Sequence, residues 1–226
     1  MKQLKLVYRT TDDEIVEEWY DADVERIDLF NRKIAELIEI PAFKKLKRLT
    51  LTYNHISDIS SLSVLQNLEQ LHLSDNQIED ISKLSLLQNL EILILSSNRI
   101  SDISSLSELK NLEILSLSGN HISDISSLSV LQNLEILYLS HNQIVDISNL
   151  SELKKLARLD LLDTPLPSFG SIDRLYYIGD SRIKIGCKIA TTKWWKKNYK
   201  QVGKDNGYSK EEIEEYRKLI FREVGK

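Results

Sequence analysis

The cysteine and the histidines are the side chains of this 226-residue chain with the greatest capacity for nucleophilic or metal chemistry. Cys187 is the single cysteine, so it cannot form an internal disulfide or complete a cysteine-based zinc site by itself. An isolated cysteine is more often a small buried side chain than a nucleophile. The histidines, whose spacing shows no regular metal-ligand pattern, are His55, His72, His121 and His141. These residues predict no catalytic centre, no metal site and no cofactor.

The chain also lacks the motifs of the common enzyme classes. It has no phosphate-binding P-loop, no GxGxxG, no HExxH, no EF-hand loop and no GxSxG. With 42% hydrophobic and 28% charged residues, and only 7 Gly and 3 Pro, its composition is typical of a soluble folded protein. The N-terminus lacks the apolar segment of a secretory signal, and no apolar run is long enough to span a membrane. We predict a cytoplasmic protein, with export by another route left open.

The chain contains a 22-residue repeat. This repeat determines the secondary-structure elements on which any functional side chain lies. Two weaker copies, at Val24 and Leu156, flank the near-identical ones and keep the same period. The near-identical copies begin at Leu46, Leu68, Leu90, Leu112 and Leu134. The sequence therefore predicts seven units over residues 24–177, an N-terminal cap over 1–23 and a C-terminal cap over 178–226.

Two periodicities occur within each unit. Apolar positions 4 and 6 alternate with polar or variable neighbours, which indicates a strand. Apolar positions 14, 17 and 20 recur every three residues, which favours a 3-10 turn over an α-helix. Position 9 is expected to satisfy backbone groups at the bend, and it is occupied by Asn54, Asn76, Asn98, Asn120 and Asn142. Position 13 is expected to cap the helical return, and it is occupied by Asp58, Asp80, Asp102, Asp124 and Asp146.

The pattern LxxLxLxxNxI resembles the leucine-rich repeat family, in its 22-residue class. The longer pattern NxIxDIxxLxxLxNLExLxL is similar to bacterial internalins and to the leucine-rich regulatory subunit of type-one protein phosphatase. The resemblance covers residues 24–177. It implies an α/β repeat solenoid, a curved horseshoe with a parallel sheet on the concave face and 3-10 or irregular helical segments on the convex face. It also implies that protein partners bind on the concave face.

Positions 3 and 5 of each unit are not needed for the core, so their occupants indicate function. In a parallel stack, an apolar patch is expected from Ile92, Ile94, Ile114, Ile136 and Tyr138. A polar rim is expected from Arg48, His72 and Arg158. An apolar centre with a charged rim is typical of a protein-binding site. Isoleucine also suits a strand for its own sake, and that alternative stays open. We predict a non-catalytic, monomeric interaction module that acts as an adaptor, inhibitor or regulatory subunit.

A basic and aromatic segment at residues 182–204 offers a second candidate surface. It contains 8 basic residues and no acidic one. Its proposed contacts are Lys193, Trp194, Trp195, Lys196, Lys197 and Tyr199. Such a segment can bind nucleic acid or an anionic membrane surface. The alternative is that the tryptophans close the end of the solenoid, and the net charge of −4 disfavours a dedicated nucleic-acid binder.

The terminal segments are expected to cover the open ends of the stack. Residues 11–14 fit a capping box, which predicts a short acidic helix whose Ile15, Val16 and Trp19 cover the first unit. Residues 181–189 are expected to add one or two strands. A second capping box at residue 209 predicts a terminal helix to about residue 224, packed on the solenoid or on a partner.

Overall fold

The computed structural model describes residues 2–161, 163–165, 175–178, 182–185, 188–191, 197–198, 200–201, 204 and 210. The first strands are β1 (Gln3–Thr10), β2 (Ile15–Asp21), β3 (Arg26–Asp28) and β4 (Ile34–Glu39). The repeat strands that follow are β5 (Arg48–Thr50), β6 (Gln70–His72), β7 (Ile92–Ile94), β8 (Ile114–Ser116), β9 (Ile136–Tyr138) and β10 (Arg158–Asp160). The last strands are β11 (Leu175–Ile178), β12 (Arg182–Ile185) and β13 (Lys188–Thr191).

A parallel sheet runs through the repeats and confirms the predicted repeat solenoid. Its seven parallel strands lie in the order β3-β5-β6-β7-β8-β9-β10. Each residue pairs with the residue one period later, so Leu71 lies opposite Leu93 and Leu93 opposite Leu115. The strands β11, β12 and β13 extend the sheet in antiparallel fashion, and the last two occupy the segment where added strands were expected.

Short 3-10 helices return the chain between strands, as the three-residue spacing predicts. They span Ser60–Val64, Ser82–Leu86, Ser104–Glu108, Ser126–Val130 and Ser148–Glu152. In the five near-identical units the apolar positions are all buried, and in the unit that begins at Leu90 none is more than 2% exposed. Each such side chain contributes roughly 1.5–3 kcal/mol by leaving water. The core is therefore one continuous stack, which fixes the orientation of the alternate side chains on the opposite side of the strands.

The position-9 asparagines bond the bends of successive units to one another, as predicted. The Asn98 amide nitrogen donates to the carbonyl oxygens of Leu73 at 3.0 Å and Leu95 at 3.1 Å. Its side-chain oxygen accepts from the backbone N–H of Ile78 at 3.0 Å. Asn120 repeats the pattern one unit further on. The asparagines therefore join adjacent units and have a structural role.

The position-13 aspartates accept hydrogen bonds at the start of the 3-10 helices. The Asp102 carboxylate accepts from the backbone N–H of Ser104 at 2.8 Å, and this bond holds the pKa of Asp102 below its usual range. Asp80 and Asp124 do the same. The N-cap position itself is occupied by an isoleucine, Ile103 in this unit. The aspartate therefore lies one residue before the N-cap position that we predicted for it, and its side chain forms a local turn.

The predicted N-terminal helix is wrong, because residues 3–21 form the β1–β2 hairpin. The capping-box residues make the hairpin turn, in which Asp13 has a φ of 63°. The β-branched and aromatic residues of β2 favour a strand over a helix, and burial alternates along it. Two predicted covering residues, Ile15 and Trp19, are more than half exposed. The end of the stack is instead covered by residues that include the buried Leu6 and Tyr8 of β1.

The first unit differs from the others in its return segment. Where the five near-identical units have a 3-10 helix, this unit has β4, which pairs antiparallel with β1. The N-terminal sheet has the order β2-β1-β4, and its buried side chains are continuous with the repeat core. The unit therefore contributes β3 to the parallel sheet and β4 to the N-terminal sheet.

The predicted terminal helix at residues 209–224 lies outside the described residues, apart from Lys210. Within the part of the chain that the structure describes, no helix has the length and apolar character needed to cross a bilayer.

Candidate functional site

The outer face of the parallel sheet is formed by positions 3 and 5 of the units, whose side chains point away from the core. Strand register arranges them in two rows. The first row is Arg26, Arg48, Gln70, Ile92, Ile114, Ile136 and Arg158. The second row is Asp28, Thr50, His72, Ile94, Ser116, Tyr138 and Asp160. The face is rigidly placed, because each strand is anchored at position 4 by a buried side chain, isoleucine in β3 and leucine in the other six strands.

The five predicted apolar residues lie together on β7, β8 and β9. Ile92, Ile114 and Ile136 are direct register neighbours, on strands spaced by about 4.8 Å. Ile94 and Tyr138 lie in the second row on either side of Ser116. The isoleucines and Tyr138 are half-buried, whereas Ser116 is buried and bonds to Ser96. We call this group of five side chains the apolar patch.

One end of the apolar patch is bounded by an arginine stacked on an aromatic ring. The Arg158 guanidinium carbon lies 4.9 Å from the centroid of the Tyr138 ring. This distance is within the range of a cation–π interaction, which holds the ring and the charge together. Arg158 is exposed, so its charge remains accessible at the rim.

The other end of the apolar patch is bounded by His72 and Arg48. Burial lowers the pKa of His72 from 6.5, and the Arg48 charge lowers it further against an opposing effect of Asp28. His72 is therefore neutral at pH 7. Its Nε2 atom is buried without a hydrogen-bond partner within the described part of the chain. His72 thus contributes a neutral polar group to the rim, whereas Arg48 contributes a charge.

The other residues that the sequence analysis considered, the histidines, Cys187 and the basic segment, do not come together in the described part of the chain. No group of three or more His, Cys, Asp or Glu side chains that could hold a metal ion occurs among them. His55 contacts Gln77, and His141 lies 3.3 Å from Asp163. Cys187 lies outside the described residues. The same is true of Lys193, Trp194, Trp195, Lys196 and Tyr199, whereas Lys197 is described and exposed.

A row of glutamates beside the apolar patch escaped the sequence analysis. Glu91, Glu113 and Glu135 directly precede the three first-row isoleucines, and all three are exposed. Glu69 occupies the same position one unit earlier and pairs with Lys47. The sequence does contain the pattern that predicts this row, because glutamate occupies position 2 of four successive units. We assigned that position neither to the core nor to the binding surface.

An exposed aromatic pair at the first units also went unpredicted. Phe30 and Tyr53 are more than half exposed, and their ring centroids lie 5.5 Å apart with planes at 71°. Phe30, together with Asp28 and Arg32, lines an open cavity of about 420 Å³. The pair lies beyond the ends of β3 and β5, away from the apolar patch.

Comparison with known proteins identifies several similar chains. A family model described as leucine-rich repeats (2 copies) matches residues 44–86, 88–130 and 132–173, which together are more than half of the chain. No curated protein matches.

Among solved structures, the chain is similar to an internalin (inlF) of Listeria monocytogenes, with 29% identity and a TM-score of 0.53 over 65% of this chain and 51% of that one. It is also similar to internalin C2 of the same organism, with 29% identity and a TM-score of 0.55 over 64% and 74% of the two chains. A leucine-rich repeat protein of Leptospira interrogans shows 32% identity and a TM-score of 0.52 over 54% and 32%. The match spans about half the length of the first of these chains.

Proposed function

Because this chain belongs to the leucine-rich repeat family, we propose that it is a non-catalytic interaction module that binds a protein partner on the outer face of its parallel sheet. The observation that carries this proposal is the apolar patch on β7, β8 and β9. Strand residues that face solvent on a stable scaffold do not need to be apolar. Four isoleucines and a tyrosine on three neighbouring strands therefore support a binding surface over a folding requirement.

The composition of the face also supports a protein partner. Interface centres are rich in aliphatic and aromatic side chains, and their rims are polar. Tyr138 provides a large amphipathic side chain that Arg158 holds in place. Such pre-organisation lowers the entropy that binding costs. The module would then act as an adaptor, an inhibitor or a regulatory subunit, since each of these roles needs binding without chemistry.

The short edge strand at the start of the parallel sheet supports action as a monomer. β3 is the first strand of the parallel sheet, has three residues and carries exposed Arg26 and Asp28. Short charged edges disfavour pairing with another copy. The proposed stoichiometry is one chain per partner site.

The test compares a face variant with a matched control. The face variant is Ile94→Glu with Tyr138→Ala, and the control is Val130→Glu with Val145→Ala, at exposed apolar residues of the 3-10 side. We expect the face variant to lose a partner that wild type and control retain in affinity capture. Both variants should unfold near the wild-type urea midpoint, because all four side chains are partly exposed. Equal retention by the face variant would refute the assignment of the outer face.

A second candidate function is binding of an anionic surface through residues 182–204. The basic and aromatic composition of that segment favours it, and Lys197 is exposed. Binding to nucleic acid or to anionic vesicles should then weaken steeply with salt. It should also be lost when Lys193, Lys196 and Lys197 are changed to Glu.

A further inference from the structure

We propose that the partner segment bound on the outer face carries lysine or arginine side chains along one side of its apolar anchors. This inference rests on the proposed function, because it specifies the chemistry of the partner at the same face. It starts from the row formed by Glu91, Glu113 and Glu135, which we call the glutamate row.

Between the rim arginines Arg48 and Arg158, the charged residues in the strand part of the three units of the apolar patch are acidic. In the first nine positions of the units that begin at Leu90, Leu112 and Leu134, the only acidic residues are the glutamate row, and no lysine or arginine occurs. All three glutamates are exposed, and none forms an ion pair with another described residue. Arg158 on the next strand is held over the Tyr138 ring. The row thus presents three free carboxylates beside an apolar surface.

Strand register places the glutamate row parallel to the isoleucine row. Each glutamate directly precedes an isoleucine, and Ile92, Ile114 and Ile136 are register neighbours. The backbone keeps this register at the glutamates, because the Glu91 carbonyl oxygen accepts from the N–H groups of Glu113 at 2.8 Å and Ile114 at 3.0 Å. The backbone positions of the three glutamates therefore recur about every 4.8 Å. Like charges at that spacing repel one another, and cations of a partner would relieve this repulsion.

At the opposite edge, positions 7 to 9 of the same three units contain no acidic residue, and the Asp163 carboxylate of the next unit lies 3.3 Å from His141. Hydroxyl groups occur there and bond to one another, Ser96 with Ser116 at 2.6 Å and Ser140 with Ser118 at 2.8 Å. The chemical demand on the partner is therefore asymmetric. The partner that fits best has an apolar stripe with basic residues on one side and neutral residues on the other.

Charge complementarity disfavours the other occupants. A second copy that docked by the same face would bring apolar patches together but would add a second set of carboxylates, which repel the first. Acidic peptides and nucleic acids meet the same repulsion. A basic and apolar polypeptide segment is the occupant whose charge matches.

The experiment uses two synthetic amphipathic peptides of about 14 residues with identical leucine positions. The polar positions are all lysine in one peptide and all glutamate in the other. Fluorescence anisotropy gives the Kd of each for the full chain at about 50 mM and about 300 mM salt. We expect the lysine peptide to bind at least roughly tenfold more tightly than the glutamate peptide at low salt, and the difference to shrink at high salt.

Two triple variants with equal changes of net charge separate local from global effects. The row variant carries Gln in place of Glu91, Glu113 and Glu135. The control variant carries Gln in place of Glu79, Glu108 and Glu152, which are exposed but lie off the face. We expect the row variant to weaken lysine-peptide binding about tenfold and the control variant to weaken it by less than about twofold. Equal losses in the two variants would overturn the proposal.

The Ile94→Glu, Tyr138→Ala variant distinguishes failure of this inference from failure of the proposed function. If both peptides bind equally well and both need Ile94 and Tyr138, the face binds partners but the basic-partner inference is wrong. If neither peptide depends on these two residues, the face assignment is wrong as well. Self-association of the chain that is lost in this variant would make a second copy the occupant and would overturn the inference.

Discussion

Replacing Asn98 by alanine tests how the solenoid is held together, because the structure shows which partners of the Asn98 side chain keep another hydrogen bond and which do not. Leu73 and Leu95 each accept from two asparagine amides, so each carbonyl keeps one donor after the change. The Ile78 N–H has only the Asn98 side-chain oxygen as its partner. The Asn98 amide also donates to the Ser96 carbonyl at 3.3 Å, and that carbonyl keeps the Asp75 N–H as a donor. The change therefore leaves one buried donor without an acceptor and removes three further bonds.

The expected cost follows from those bonds. An orphaned buried donor costs about 1–3 kcal/mol. Each of the three other bonds contributes less than about 1 kcal/mol, because its carbonyl acceptor keeps another donor. We expect the free energy of unfolding to fall by about 2–4 kcal/mol. The matched control is Asn111→Ala in the same unit, since the exposed Asn111 amide makes one bond, to the Gln88 carbonyl at 3.0 Å. Its expected cost is about 0.5 kcal/mol.

Urea unfolding followed by far-UV circular dichroism measures both variants against wild type. Hydrogen exchange of the Ile78 amide provides a local readout, because that amide should exchange much faster in Asn98→Ala and at the wild-type rate in Asn111→Ala. Equal shifts of the unfolding midpoint in the two variants would refute the claim that position 9 bonds the units together.

Two further predictions concern pH and the N-terminal cap. Because the pKa of His72 in the folded state lies below 6.5, the unfolded state binds its proton more readily, so the free energy of unfolding should fall as the pH drops below about 6.5. His72→Gln should flatten that dependence in urea titrations at several pH values, and an unchanged slope would contradict the burial of the ring. In the β1–β2 hairpin, Leu6→Ala should lower the free energy of unfolding by about 2–5 kcal/mol, because Leu6 is 1% exposed. Ile15→Ala should lower it by under about 0.5 kcal/mol, because Ile15 is 59% exposed. A larger loss from Ile15→Ala in thermal unfolding would contradict the hairpin.

The period of the sequence was enough to predict the repeat fold. Every unit has the same length, so residues one period apart must become register neighbours, and the two rows of the outer face follow. Leu93 and Leu95 alternate with outward residues, and the three-residue spacing of Ile103, Leu106 and Leu109 matches the 3-10 return. In the repeats, local spacing and tertiary packing favour the same structure.

The N-terminal region could not be predicted in this way, because tertiary pairing decides its backbone. Leu37 and Phe43 occupy the same apolar positions as in the later units and are buried as expected. Yet residues 34–39 form a strand, because they pair with the edge of β1. The repeat period of the sequence gives no information about a neighbouring strand outside the repeats. Residues 11–14 likewise satisfy a capping-box pattern while serving as a hairpin turn.

At the candidate site, the sequence predicted which residues are neighbours but not their electrostatic states. The burial of His72 depends on side chains from the adjacent strands, and the stacking of Arg158 on Tyr138 depends on rotamers. Whether a glutamate is paired or free also depends on rotamers, since Glu69 pairs with Lys47 while the glutamate row does not.

Photo-crosslinking from the apolar patch tests the central claim most directly. A photoreactive benzoylphenylalanine would replace Tyr138 on the outer face in one full-length chain and Val130 on the 3-10 side in another. The proposed function predicts a crosslinked protein partner from position 138 and none from position 130 in lysate of the source organism. Equal crosslinking from both positions, or a crosslink from position 130 alone, would contradict the claim that the outer face of the sheet is the binding site.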